Sequence, residues 1–291
     1  MFTHDHCQST NASDRTPAVA SKYLLATATR FDRRHFWTTS ALGRSLRQIP
    51  EPLRPHLAIA FGNEGPTARG LGVIYNAAIT EAISRRLRLI LCHDDVWIHD
   101  PLFLTRLDEA MHAYDVVGVA GSVGTGPFDV SWLLESKLVE GRIEFNGKWI
   151  SRLGFSASGI VSHGKATEAA GKERDAPPVY APSVYGPIRG RCSLLDGVFI
   201  ACSTVALSSR ACRFDEHPDL AFHLYDLDFC RQLGTTGLSL GTWPIAITHE
   251  SGGNFSSDAF QKASANYLQK WARYLEGSAV ADEPPAQRAV A

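Results

Sequence analysis

The chain has no C-x-x-C pair among its six cysteines, and its net charge is only -1. No apolar run nears the ~18 residues that a membrane helix needs. Each absence excludes something. Cys192, Cys202 and Cys212 recur at a spacing that is not a zinc pattern. Together with Cys7, Cys92 and Cys230 they read as buried structural thiols. So small a charge supplies no field that would draw the protein to nucleic acid or to an anionic membrane. Residues 1–21 are polar, rich in Ser, Thr and Asn, and lack the apolar core of a secretory signal. The expectation is a disordered arm on a cytoplasmic protein with no transmembrane segment and with reduced thiols. What remains is ordinary for a globular chain: 44% apolar and 20% charged over 291 residues, enough to bury a sizeable core.

Periodicity predicts an α/β fold. Apolar strands are expected at Lys22 to Thr29, His56 to Phe61, Arg88 to Cys92, Asp115 to Ala120, Leu194 to Ala201 and Trp243 to Thr248. Between them, Asp32 is placed to cap a helix running to about Gln48, which Pro50 ends. Leu71, Ile74, Tyr75, Ala78, Ile79 and Ala82 share one face of a helix over 70–86. Asp100-Pro101 reads as a helix start, with Asp as N-cap and Pro in the first position. Strands alternating with helices argue for a mostly parallel central sheet flanked by helices. Residues 122–190 break the rhythm with Gly, Pro and Ser. They read as a loop-rich insertion, long loops and short strands over one face of the sheet, of the kind that often carries specificity. Ser257 to Leu275 reads as a last amphipathic helix presenting Phe260, Ala263, Tyr267, Trp271 and Tyr274, and 276–291 as a disordered tail.

The chemistry concentrates at strand ends. Arg88 to Cys92 is apolar after its first residue and stops at His93-Asp94-Asp95. Alternation puts His93 and Asp95 on one side, where both can face a cation, and turns Asp94 away to brace the turn. Taken alone, the triplet reads equally as a turn that closes a strand. His249 ends another apolar strand and reaches the same ion if the two ends are neighbours. Asp226 and Asp228 open a helix. Either can serve as a base, and both also suit a helix dipole. Asp196-Gly197 interrupts a strand, where Gly permits close backbone approach. Thr27, Ala28 and Arg30 after the first strand, and Asn63 and Glu64 after the second, sit where such sheets receive a nucleotide.

Taken in order, these blocks resemble the GT-A fold glycosyltransferases, specifically a family-2-like bacterial subgroup related to the streptomycin-biosynthesis glycosyltransferase-like domain. The blocks are GLGVIYNAAI over 70–79, LILCHDDVWI over 89–98, DVVGVAGS over 115–122, LLDGVFIA over 194–201, FDEHPDLAFHLYDLDFCRQLG over 214–234, THESGG over 248–253, and Gln269-Lys270-Trp271. The resemblance spans 22–275. It implies a metal-dependent, inverting transfer of a sugar from a nucleotide-diphosphate donor, UDP-type by analogy, to a glycan or small-molecule hydroxyl. It places Asp95 as principal ligand of Mn²⁺ or Mg²⁺, with His93 and His249 beside it, and Asp226 as catalytic base with Asp228 following. Asp94 joins the donor-binding set of Thr27, Ala28, Arg30, Asn63 and Glu64. Asp196, Gly197 and His223 lie on the acceptor side. Two positions depart from the family pattern: His93 opens the D-x-D-like signature, and Tyr225 stands where an acidic residue precedes the base. These departures motivate one alternative, a degenerate domain that binds a glycan or partner. A sugar-phosphate nucleotidyltransferase is the other. It would carry a Gly-rich loop after strand one, and Ala28-Thr29-Arg30-Phe31-Asp32 has no glycine.

Overall fold

The computed structural model describes residues 19–122, 131, 134–140, 142–149, 157–163, 182–184, 187–250 and 257–281. The arm before Val19, much of the 122–190 insertion and the chain after Ala281 lie outside the described residues. A 3-10 turn (Val19–Lys22) buries Ala20 and leads into β1 (Tyr23–Ala28), so residues 19–21 of the segment expected to be a free arm are helical. Asp32 caps α1 (Arg33–Thr39) by accepting from the His35 N–H at 2.8 Å. The helix expected to continue to Gln48 breaks at Ser40. Its backbone is extended there, and its Oγ accepts from the Gly43 N–H at 2.9 Å to cap α2 (Ala41–Gln48). Gly43 allows the two helices to meet, because a Cβ there would lie 2.1 Å from the Phe36 carbonyl oxygen.

Next come β2 (His56–Ala60), α3 (Leu71–Ser84), β3 (Arg88–Cys92) and β4 (Val96–Ile98). Helix α3 buries Ile74, Tyr75, Ala78, Ile79 and Ala82, as its spacing predicts. Asp100 is not the cap expected of it. It accepts from the Leu102 N–H at 2.9 Å in a turn, and α4 (Phe103–Ala110) begins after that turn. The chain continues through β5 (Val116–Gly118), β6 (Ala120–Ser122), β7 (Leu134–Val139), β8 (Arg142–Trp149), β9 (Ala157–His163), β10 (Pro182–Val184), β11 (Gly190–Cys192), β12 (Leu194–Leu195) and β13 (Phe199–Cys202). The described residues of the insertion lie mostly in the strands β7 to β10, where loops and short strands were expected. Then follow α5 (Thr204–Ser208), α6 (Tyr225–Gly234), β14 (Leu240–Thr242), β15 (Ile247–His249) and α7 (Asp258–Ala281). Helix α7 buries Phe260, Ala263, Tyr267 and Trp271 and runs past the point where a free tail was expected. The side chain of Tyr274 lies outside the described residues.

The result is a mixed α/β fold. One sheet has the order β11-β14-β5-β13-β3-β1-β2, and a second has the order β12-β6-β9-β15-β4, with β10 paired to β9. The first sheet is not mostly parallel. Its β1–β2, β1–β3 and β14–β5 pairs are parallel, while the β13–β3, β13–β5 and β11–β14 pairs are antiparallel. Helical crossovers enforce the parallel pairs. Strand β13 runs the other way because it returns from the second sheet.

Three segments pass from one sheet to the other. Arg88 to Ile98 divides into β3 and β4, Val116 to Ser122 into β5 and β6, and Leu194 to Cys202 into β12 and β13. The residues at the first and last of these breaks are His93-Asp94-Asp95 and Asp196-Gly197-Val198. The polar groups thus gather at the seam between the sheets, where the ladder hydrogen bonds of both sheets stop.

Candidate metal centre

Strand β3 ends at Cys92, and the next three residues turn the chain into β4. The Val198 carbonyl accepts from the His93 N–H at 3.1 Å, tying this turn to the break between β12 and β13. Asp94 turns away from its neighbours, as alternation predicts. Its Oδ2 accepts from the Thr29 hydroxyl at 2.5 Å, and its carbonyl accepts from the Leu42 N–H at 3.0 Å. Asp94 therefore fastens the tips of β1 and α2 to the turn. Burial pushes its carboxyl above the ordinary range.

His93, Asp95 and His249 converge. His249 Nε2 lies 3.4 Å from Asp95 Oδ1, and His93 Nδ1 lies 3.8 Å from the same oxygen. One candidate ligand atom from each residue falls within a common 4.8 Å separation. The link to His249 does not run through β3. Strand β15 pairs antiparallel with β4, setting His249 opposite Val96, and the Glu250 N–H donates to the Asp95 carbonyl at 3.0 Å. Burial lowers the affinity of His93 for a proton. Burial opposes charge on Asp95 and His249 too, but their mutual attraction wins: Asp95 is held below the carboxylate range and His249 above the imidazole range.

The trio fits a divalent cation. Asp95 Oδ1 is buried and meets no donor in hydrogen-bonding geometry. Donor atoms ~2.0–2.2 Å from one ion sit roughly 3–3.5 Å apart, close to the separations seen here and longer than good hydrogen bonds. Two imidazoles and a carboxylate form a donor set suited to a borderline transition ion.

Helix α6 supplies the second acidic centre. Leu224 has φ of 57°, a left-handed conformation uncommon for a side chain of this size, and it turns the chain into the helix. Helix α3 holds the approach to that turn. The Asn76 amide both donates to and accepts from the Phe214 backbone, at 3.0 and 2.8 Å. Asp226 faces the seam, and its Oδ2 accepts from the Gly197 N–H at 2.7 Å. Burial and the nearby Asp196 raise its carboxyl to about 7. Asp196 itself accepts from the Val198 N–H at 2.9 Å. Gly197 is glycine for a packing reason: a Cβ there would lie 2.6 Å from the Tyr225 hydroxyl and 2.8 Å from Asp226 Cβ.

Asp228 points elsewhere. Two helical residues subtend ~200°, so it cannot share the face of Asp226. It is fully buried against α7, where Lys270 Nζ lies 2.7 Å from Oδ2 and the Trp271 indole N–H donates to Oδ1 at 2.9 Å. The second oxygen-ion contact of Lys270 is Asp215, at 2.9 Å. His223 also packs on α7, edge-on to Phe260 at 5.7 Å.

An open cleft of about 190 Å³ lies beside the trio, and Ala28, Arg30, Asn63 and Asp94 line it together with His93 and Asp95. Thr27 is buried in the sheet, and Glu64 is exposed outside this lining. Asn63 is committed to its own loop, where its amide exchanges two hydrogen bonds with the Arg69 backbone at 2.9 and 2.8 Å. The cleft also receives Thr29, within the Ala26–Arg30 segment expected to meet a nucleotide, and Leu71, Tyr75 and Phe222, which sequence reasoning left out. Tyr75 occupies the apolar face of α3 and reads as core, yet its buried hydroxyl has no hydrogen-bond partner. The exposed Phe222 stands out only once the fold places it at the rim.

No protein-family model matches the chain. No curated protein matches it either. Among solved structures, the crystal structure of A197 from STIV aligns over 76% of this chain and 81% of its own, with a TM-score of 0.35 and 10% identity. Likeness at that level decides neither fold family nor activity. Among the described residues, no helix is long and apolar enough to cross a membrane.

Proposed function

We propose that the protein is a metal-dependent, inverting glycosyltransferase of the GT-A fold that moves a sugar from a nucleoside-diphosphate donor, of UDP type, to an acceptor hydroxyl. The observation that carries this reading is the convergence of the His93 and His249 imidazoles on one Asp95 carboxylate oxygen, with a separate carboxylate, Asp226, across the seam. The ordered sequence blocks support the reaction class.

In this reading Asp95, His93 and His249 hold Mn²⁺ or Mg²⁺, and the mixed donor set favours Mn²⁺. The ion supplies charge neutralisation for the departing diphosphate. The chain's own groups do the rest. Arg30 offers a cation at the cleft. Asp94, braced by Thr29, keeps the turn that carries His93 and Asp95 in register. Asp226 takes the proton from the acceptor hydroxyl while that oxygen attacks the anomeric carbon and the bond to the diphosphate breaks. A carboxyl near neutrality is matched to that task. The Gly197 N–H holds one Asp226 oxygen, which orients the carboxylate. Asp228 takes no part in the proposed reaction and serves the packing of α6 on α7.

The test is calorimetric titration of a panel of nucleoside diphosphates into wild type and Asp95→Ala, with Mn²⁺ and with chelator. Binding of one nucleotide that requires both the ion and Asp95 supports the donor site and identifies its base. Absence of binding in every arm rejects the transferase reading in favour of a domain that binds a glycan or partner.

A further inference from the structure

The two departures from the family pattern touch each other. The Tyr225 hydroxyl lies 2.6 Å from His93 Nε2. Tyr225 is buried, and its ring leans on Tyr75 and Phe214 with centroids 6.0 Å away in each case. The ring is therefore fixed, and the hydroxyl fills the space that the missing side chain of Gly197 leaves open. A neutral imidazole carries one proton, and whichever nitrogen holds it cannot bind a cation. His93 Nδ1 is the nitrogen turned toward Asp95.

We propose that Tyr225 is a positioning residue for the metal centre: by accepting a hydrogen bond from His93 Nε2–H, its hydroxyl reserves the Nδ1 lone pair for the cation. The inference rests on the metal reading of the previous subsection. Outer-shell partners of this kind fix the ring and its tautomer, and their loss typically weakens metal binding ~10–100-fold. The arrangement also joins two functions in one turn of helix. Tyr225 braces the ligand, and Asp226, the next residue, is the proposed base. A change that displaces the start of α6 therefore disturbs both together.

The test uses the full chain and Mn²⁺ alone, with free Mn²⁺ followed by electron paramagnetic resonance. Tyr225→Phe removes one oxygen and keeps the ring contacts, and thermal unfolding checks that it folds. Wild type, Tyr225→Phe, His93→Ala and the double variant form a cycle. The expected result is a roughly 10–100-fold weaker Mn²⁺ affinity in Tyr225→Phe and no further loss when it is added to His93→Ala. Affinity in Tyr225→Phe equal to wild type overturns the inference, and so does an equal loss in both backgrounds, because Tyr225 then acts without His93. Wild type that takes up no Mn²⁺ overturns the metal reading itself. That failure appears before any variant is compared, so the two failures are distinguishable.

Discussion

The backbone N–H of Gly197 donates to Asp226 Oδ2 at 2.7 Å, joining the break between β12 and β13 to the first turn of α6. Through this one bond, a strand tip in the seam orients a half-buried carboxylate carried by a helix. It also explains why Gly197 cannot be exchanged freely, since the space above its Cα belongs to Tyr225 and Asp226.

Gly197→Ala is expected to impair both halves of the site. The added methyl meets a rigid ring hydroxyl and a Cβ, neither of which can swing aside. Mn²⁺ affinity and turnover should fall together. Loss of turnover with Mn²⁺ affinity intact would detach Tyr225 from the metal centre.

Asp226→Asn should reduce turnover ~10²–10⁴-fold, the range that general-base help typically contributes, while donor binding persists. Single-turnover rates and nucleotide titrations separate the two effects. Near-full activity in the variant would remove Asp226 from the base role.

The same carboxyl sets a pH dependence. A base must be ionised, and burial holds Asp226 near 7. Turnover should therefore fall as pH drops through 7 and level off above it. A rate profile that is flat between pH 6 and 8 at saturating donor would contradict the assignment.

Stability should move in the opposite sense. A carboxyl whose folded pKa is raised favours folding while it is protonated. That advantage is full below the unfolded value of ~3.9 and is lost as pH rises to about 7. Asp226→Asn, which cannot ionise, should unfold at a higher temperature than wild type at pH 8 and at a similar temperature at pH 4. Differential scanning calorimetry at the two pH values decides it. An equal shift at both would mean that ionisation is not the cost.

Asp228→Ala tests the other acid of the pair. It takes from the half-exposed Lys270 ammonium one of its two carboxylate partners and leaves the buried Trp271 indole N–H without its acceptor. Leaving a buried donor unsatisfied costs about 1–3 kcal/mol. The expected signature is a fall in Tm with Mn²⁺ affinity retained by the folded protein. Selective loss of Mn²⁺ binding at unchanged Tm would return Asp228 to the site.

Local pattern carried much of this protein. The 3.6-residue period of α3, the Asp32 cap and the apolar runs of β1, β2 and β3 lie in residues close together along the chain, where periodicity and capping act. The opposed directions of His93 and Asp94 agree with the alternation expected of them, but both lie in the turn after β3, where bonds from Thr29 and Leu42 hold Asp94. What the sequence left undetermined depends on pairing between distant segments. That the chain leaves one sheet at Cys92 and enters another at Val96 is not marked locally, because the polar triplet between them reads only as a strand end. Leu194 to Ala201, expected as one strand, divides at its polar pair Asp196-Gly197 for the same reason. His249 reaches Asp95 only because β15 pairs with β4, a contact across some 150 residues that local spacing does not encode. Asp226 and Asp228 look alike at the head of a helix, and only the packing of α7 decides which faces the seam and which faces Lys270. The partnership of Tyr225 with His93 is of the same kind. Residue chemistry belongs to the sequence, but which groups meet depends on hydrogen-bond ladders and packed faces that exist only once the chain has folded.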